Sequence, residues 1–344
     1  MFPKADAKRG MYESFYLRAV SPDEPVGAWI RYTVHKRPGA PPKGSLWCTV
    51  FDASRGRPLM FKHTSDELSV PAGGWIAIGD SRFAAKLAEG HVAIDGAAPL
   101  AAEGGTPRSG EARWSLRIES EQPELRHLKQ GWLYKAPLPR TKLTSPAPSA
   151  RFNGEIVLEG PSSRTIQLRD WRGMVGHNWG TEHAERWIWL HGIDFEEDRS
   201  AWIDVAVGRV LVAKRMTPWM ASGAIGLDGR RLRLGGLGAR GVKVAESPAR
   251  CTLTLPGENG LLVEAHVDVP GESAAGWRYA DPDGGEHDVV NCSVASLTLN
   301  ARPRGGAATT LHTAHGGAYE LGMRTLKGTG DLDHGVPIAP FGDG

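Results

Sequence analysis

The segment 176–192 reads GHNWGTEHAERWIWLHG and gathers the side chains best suited to chemistry: His177, Asn178, Glu182, His183 and His191. Imidazole and carboxyl groups are the usual proton carriers near neutral pH, and an Asn amide can hold a carbonyl or a hydroxyl. Gly176 and Gly180 flank the His177–Asn178 pair. Glycines there permit a bend or a bulge, a device that often re-aims side chains beside active sites. The same His177–Asn178 pair equally suits a hydrogen-bonded tie across such a bulge. A metal reading would use His177, His183 and His191. Their spacing, H-x5-H-x7-H, matches no familiar site and would break the strand parity between them, so no metal is expected.

The element that must carry these groups is extended. In a strand over 186–195, Trp187, Trp189, His191 and Ile193 point one way, while Ile188, Leu190 and Asp194 point the other. Both faces are largely apolar, which places the strand inside a barrel or at a domain interface. An indole has a large apolar body and one N–H donor, so the aromatic face suits the wall of a cavity for a hydrophobic ligand. It also suits a packed core.

Alternation recurs along the chain, in ESFYLRAV (13–20), GAWIRYTVH (27–35), SLWCTVFD (45–52), EARWSLRIES (111–120), GEIVLEG (154–160), SAWIDVAVG (200–208) and NCSVASLTLN (291–300). In 113–118, Trp114, Leu116 and Ile118 share one face and Arg113, Ser115 and Arg117 the other, as in a sheet with one wet side. The 44 Gly and 24 Pro are spread out and punctuate short segments, as turns do in an all-β chain. RFAAKLAEG (82–90) is the one stretch that could make two helical turns. Strands this numerous predict an all-β protein of two antiparallel β-barrels packed together. KAPLPRTKLTSPAPSARF (135–152) reads as a linker because of its prolines, and a second break falls near KRMTPWMASG (214–223). The domains are expected at 1–216 and 217–344.

With 344 residues the chain suits two domains. A net charge of +2, with no basic cluster interleaved with aromatics, argues against nucleic acid as a partner. Cys48, Cys251 and Cys292 form no CxxC pair and predict neither a disulfide framework nor a zinc knuckle. The first residues, MFPKADAKRGMYESF, have no apolar signal-peptide core. No apolar run approaches the roughly 20 residues of a transmembrane helix, so no transmembrane segment and a cytoplasmic location are expected. GLGARG (236–241) matches GxGxxG, but VKVAESPARCTLTLP follows it and alternates, so no dinucleotide site and no cofactor are predicted.

WLYKAPLP (132–139), ARFNGEIVLEG (150–160), the segment WRGMVGHNWGTEHAERWIWLHGIDF (171–195) and GGAYELGMR (316–324) together resemble the AttH/carotenoid 1,2-hydratase group of two-domain lipocalin-like proteins. The resemblance spans most of the chain in order. It implies two calycin-like barrels with a hydrophobic ligand site at or near their junction. The group includes hydratases of isoprenoid double bonds, relatives of tocopherol cyclases and Diels–Alder-type pericyclases. Where its pattern has Asp-His-Glu before Trp-Gly, this chain has Gly176-His177-Asn178. The acidic pair is missing, and Glu182, or Glu320 beside Tyr319, would have to supply the proton donor. A cyclisation or isomerisation, which leans on shape and hydrogen bonds, tolerates that loss better than a hydration. The expectation is therefore a cofactor-independent enzyme acting on a hydrophobic isoprenoid-, polyketide- or lipid-like small molecule. His177 or His191 would move protons, Asn178 would orient the ligand, and Trp179, Trp187 and Trp189 would line the site, with Tyr319 and Glu320 closing it. The alternative is a carrier using the same cavity, which would have all its polar groups paired. An enzyme would leave at least one His or carboxylate unpaired toward the ligand.

Overall fold

A computed structural model describes residues 2–3, 10–94, 110–160, 163–212, 214–324 and 336–339. Among these residues the regular structure is β-strand, with two short 3-10 turns and no α-helix. It forms two large antiparallel sheets, one of twelve strands and one of ten.

The first sheet runs from Met11 to Gly180. Its first strand, Met11–Val20, lies between Val26–Lys36 and the last strand, Arg164–Gly180. From Val26–Lys36 the order continues through Lys43–Asp52 to Leu59–Ser65. On the other side, Arg164–Gly180 is followed by Thr141–Glu159, Gly110–Ser120 and Leu87–Ile94. Leu59–Ser65 approaches Leu87–Ile94, so the sheet nearly closes on itself. The second sheet repeats this plan. Its first strand, Arg186–Ile193, lies between Trp202–Arg209 and the last long strand, Thr309–Arg324. In each sheet the last long strand pairs with another long one, Thr141–Glu159 or Glu286–Arg302. That strand also carries a short side strand, Leu125–Arg126 in one case and Ala275–Ala280 in the other. Both of these long pairings are interrupted by bulges, at 144–150 and 292–297. Two barrels of one topology thus lie behind dissimilar sequence.

Two local expectations are corrected. The proline-rich 135–152 is no linker: Thr141–Glu159 is a continuous strand, and Pro146 and Pro148 fall in its bulged stretch, where a missing N–H costs no ladder bond. RFAAKLAEG is a hairpin joining Ser81–Ala84 to Leu87–Ile94, because Phe83 and Ala88 face the core on alternate positions. The chain passes between sheets at 181–185, before the break expected at 216. Around 214 there is only a small hairpin, Leu211–Val212 with Arg215–Met216, on the rim of the second sheet. GLGARG is a turn leading into the strand Lys243–Glu246, not a helix.

The strand Met11–Val20 is buried at every residue. Phe15, Leu17 and Ala19 face the first barrel's core with Ala28, Ile30 and Tyr32. Tyr12, Tyr16, Arg18 and Val20 point out of that barrel, into the second sheet. Trp29 and Trp47, on neighbouring strands, do the same and meet Trp277. The junction between the sheets is therefore a third packed layer.

Candidate functional site

The aromatic face of Arg186–Ile193 looks into this junction. Ile188 and Leu190 fill the second barrel. Trp187, Trp189 and His191 alternate with them and meet groups of the first sheet or of the junction layer. The period-2 reading therefore holds, and the shared face belongs to a domain interface.

His191 is fully buried. Arg18 donates to its Nδ1 at 3.1 Å, and its Nε2–H donates to the Pro148 carbonyl at 3.0 Å. Arg18 also donates to the Ser293 carbonyl at 2.9 Å, so the pair stitches four strands together. Burial, reinforced by Arg18, pulls the His191 pKa down to about 4, so the ring is neutral. This is a structural tie. Replacing His191 with Phe is expected to strand Arg18 and the Pro148 carbonyl and to cost about 2–5 kcal/mol in urea denaturation.

Trp189 stacks edge-on against Tyr16 and donates to Asp204 Oδ1 at 3.0 Å. Ser145 donates to the other Asp204 oxygen, and His127 Nε2 lies 3.4 Å from it. His127 Nδ1 faces the Ser222 carbonyl at 3.0 Å. His127 Nε2 also meets Ser145 Oγ at 3.1 Å, so both ring nitrogens face oxygens. Burial alone would raise the Asp204 pKa, but His127 and Ser145 hold it below the usual carboxylate range.

His177 lies on the inner side of the first barrel. Its Nε2–H donates to Glu13 Oε1 at 2.8 Å, and its ring is sandwiched between Phe15 and Trp179 at 4.0 and 4.6 Å. Register explains the pairing: Phe15 is opposite His177 and Glu13 opposite Trp179, so all four share a face. A carboxylate missing beside His177 in sequence thus arrives from the neighbouring strand. The Phe2 N–H occupies the other Glu13 oxygen at 2.7 Å. Gly176 is required by close approach, because a Cβ there would run into the Tyr16 ring. Asn178 points the other way, opposite Ser14, and its Oδ1 is buried without a partner.

The polar cluster that the sequence does not reveal is built around Asp281. His183 Nδ1–H donates to Asp281 Oδ1 at 2.6 Å, and the His183 backbone N–H donates to the same oxygen at 2.9 Å. His287 Nε2–H donates to Oδ2 at 2.8 Å. Burial would raise the Asp281 pKa, but the two imidazoles push it well below the usual range. His183 stacks on Tyr12 at 4.1 Å, and burial lowers its pKa to about 4 despite Asp281. With one nitrogen of each ring committed to Asp281, His183 Nε2 and His287 Nδ1 remain as buried atoms without partners.

Glu320 lies at the floor of this cluster. It accepts from Trp187 Nε1 at 2.9 Å, Tyr279 OH at 3.2 Å and Asn291 Nδ2 at 3.3 Å, so it is well satisfied. Glu182 is an outer ion pair with Arg324 at 2.9 Å and with Arg140. Tyr319 points away, into the second barrel's core, and donates to the Ser247 carbonyl at 2.9 Å. Trp187, Glu320 and His183 are thus brought together, while His177 with Trp179, Trp189 with His191, and Tyr319 sit in separate surroundings.

His183, Asp281 and His287 place ligand atoms within 4.8 Å of one another. Two features oppose a cation. The Arg324 guanidinium lies 3.5 Å from Asp281 Oδ2. The outward nitrogens of both imidazoles also lack the partner that orients a metal-bound His. The donor set reads as a hydrogen-bonded His–Asp–His relay. Beside it, Tyr12, Glu13, Arg31, Thr33, His35, His183 and Tyr279 enclose a void of about 10 Å³, room for about one water-sized atom.

No protein-family model matches the chain. An uncharacterised protein of Mycobacterium tuberculosis is 23% identical over 327 residues, covering 94% of this chain and 89% of that protein. Among solved structures, CghA with Sch210972 superposes with a TM-score of 0.58 at 12% identity, over 92% of this chain and 88% of that one. A protein assigned as AttH from Nitrosomonas europaea gives 0.50 at 13%, over 93% and 96%. Kievitone hydratase from Nectria haematococca gives 0.51 at 9%, over 91% and 88%. The resemblance read from the sequence therefore holds for the fold, which this chain shares with AttH-like proteins over nearly its whole length. No helix among the described residues is long and apolar enough to cross a membrane.

Proposed function

We propose that this chain, folded as the AttH-like two-barrel proteins are, is a cofactor-independent enzyme acting on a hydrophobic small molecule at the junction of its sheets. The reaction class is a proton-assisted cyclisation, hydration or isomerisation. One observation carries the reading: His183 is oriented by a buried carboxylate, lines the junction void, and leaves its Nε2 buried and unpartnered. Buried polar atoms are almost always paired unless a ligand, a water or a catalytic role accounts for them. A carrier would have closed this bond within the protein.

In this reading His183 moves the proton and Asp281 fixes its tautomer. Glu13 is held at both oxygens by His177 and Phe2, which fixes its orientation. His177 is then a positioning residue, and Trp187 and Tyr12 are the aromatic walls. A shared fold with a hydratase is consistent with such chemistry.

The test uses a lipophilic extract of the producing cells, incubated with purified protein and followed by liquid chromatography–mass spectrometry. The expected result is conversion of one component without mass change or with gain of water. His183→Gln keeps an N–H for Asp281 but cannot shuttle a proton, so turnover should fall about 10²–10⁴-fold. Unchanged turnover in that variant would remove His183 from the chemistry.

A further inference from the structure

Arg31 is the least expected group in the junction. It is buried, with 5% of its surface exposed. Its Nε donates to Ser14 Oγ at 2.6 Å, and its Cζ lies 4.1 Å from the Tyr279 ring centroid and 5.5 Å from that of Trp47. Among the described residues no carboxylate forms an ion pair with it within 4.0 Å. Glu13 is the nearest acid in the void lining, and both its oxygens are engaged elsewhere. A buried guanidinium is expensive without a counter-charge, and π faces offset only part of that cost. Arg31 and His183 line the same void, one a donor cation and the other an acceptor nitrogen without a partner.

We propose that the void is a subsite for an ionisable hydroxyl of the substrate, phenolic or enolic, with Arg31 facing its oxygen and His183 Nε2 receiving its proton. The inference rests on the proposed function and adds the substrate class to it. A carboxylate, already ionised at neutral pH, brings no proton for His183 Nε2 and would set lone pair against lone pair. An alcohol brings a proton but no stable negative charge for Arg31. A phenol or enol supplies both. On transfer the O–H bond breaks, the N–H bond forms at His183 Nε2, and the electron pair stays on the oxygen against Arg31. Asp281 balances the resulting imidazolium. The void accommodates one oxygen of the ligand.

The experiment uses 4-nitrophenol, whose phenolate absorbs at longer wavelength than the neutral form, and 4-nitroanisole, which has no ionisable hydroxyl. Both quench Trp fluorescence, with Trp187 next to the site. Wild-type protein should bind 4-nitrophenol as the phenolate at a pH where the free dye is mostly neutral. Arg31→Met should abolish that band and weaken 4-nitrophenol about tenfold or more, as expected for loss of a charge-assisted contact. Binding of 4-nitroanisole should change less than about twofold, which also reports that the junction is still folded. Arg31→Lys should restore part of the band. Three outcomes would overturn the subsite: equal 4-nitrophenol binding by wild type and Arg31→Met, bound dye that stays neutral, or no binding by wild type at the solubility limit. The enzyme reading is tested separately, by the turnover of His183→Gln, and none of these three outcomes decides it.

Discussion

Acidification from pH 7 to pH 4 is expected to destabilise the protein by roughly 6 kcal/mol through two buried imidazoles. His183 and His191 are buried as neutral rings, and burial brings each pKa down to about 4 from an ordinary 6.5. Between those values the unfolded chain binds protons that the folded chain refuses, so stability is fully present above about 6.5 and is lost as pH falls toward 4. Each shift corresponds to roughly 3 kcal/mol. Below that window Asp281, whose pKa is depressed, adds a further loss of the same sign as it too becomes protonated. Urea midpoints measured from pH 4 to 7.5 check this. His183→Gln should remove about half of the slope between pH 4 and 6.5, because Gln keeps the Asp281 contact but has no titrating ring. A midpoint that stays flat through this window would show that the two rings are solvated or protonated in the folded state.

Asp204→Asn is expected to cost about 1–3 kcal/mol for each buried hydrogen bond it breaks. Asp204 is fully buried and accepts from Trp189 and Ser145 while facing His127. An amide nitrogen at either Asp204 oxygen position would confront a donor. Asp204→Asn with His127→Gln should recover part of the loss, because the ring that faces Asp204 goes with it. Thermal unfolding of the two single variants and the double variant gives the coupling. Additive losses would mean that His127 and Asp204 are not coupled.

What the sequence showed best was whatever had a wet side. Trp114, Leu116 and Ile118 are buried while Arg113, Ser115 and Arg117 are exposed, as alternation predicts. The parity of Trp187, Trp189 and His191 was legible too, because a strand's period does not depend on what it packs against. What it packs against was not legible. Arg31, Asp204 and Asp281 reach the junction from places far apart in the chain; pairing register brings Glu13 beside His177, and Asp281 meets His183 through the connecting segments that follow Ala280 and Gly180. Met11–Val20 is buried on both faces, so its polar residues looked like the wet side of an ordinary strand. Chain crossing at 181–185 is marked by no proline-rich spacer, because His183 and Glu182 are themselves pinned to the second sheet. The spare prolines were instead absorbed by a bulge.

The double burial of Met11–Val20 also governs how the molecule comes apart. Tyr12, Tyr16, Arg18, Trp29 and Trp47 are surface residues of the first barrel only on paper; each is covered by the second. Residues 10–180 expressed alone would present a broad sticky patch holding a buried-type arginine with no companion, and should go to inclusion bodies or associate. The full chain should melt in a single calorimetric transition, with the two halves surviving or failing together.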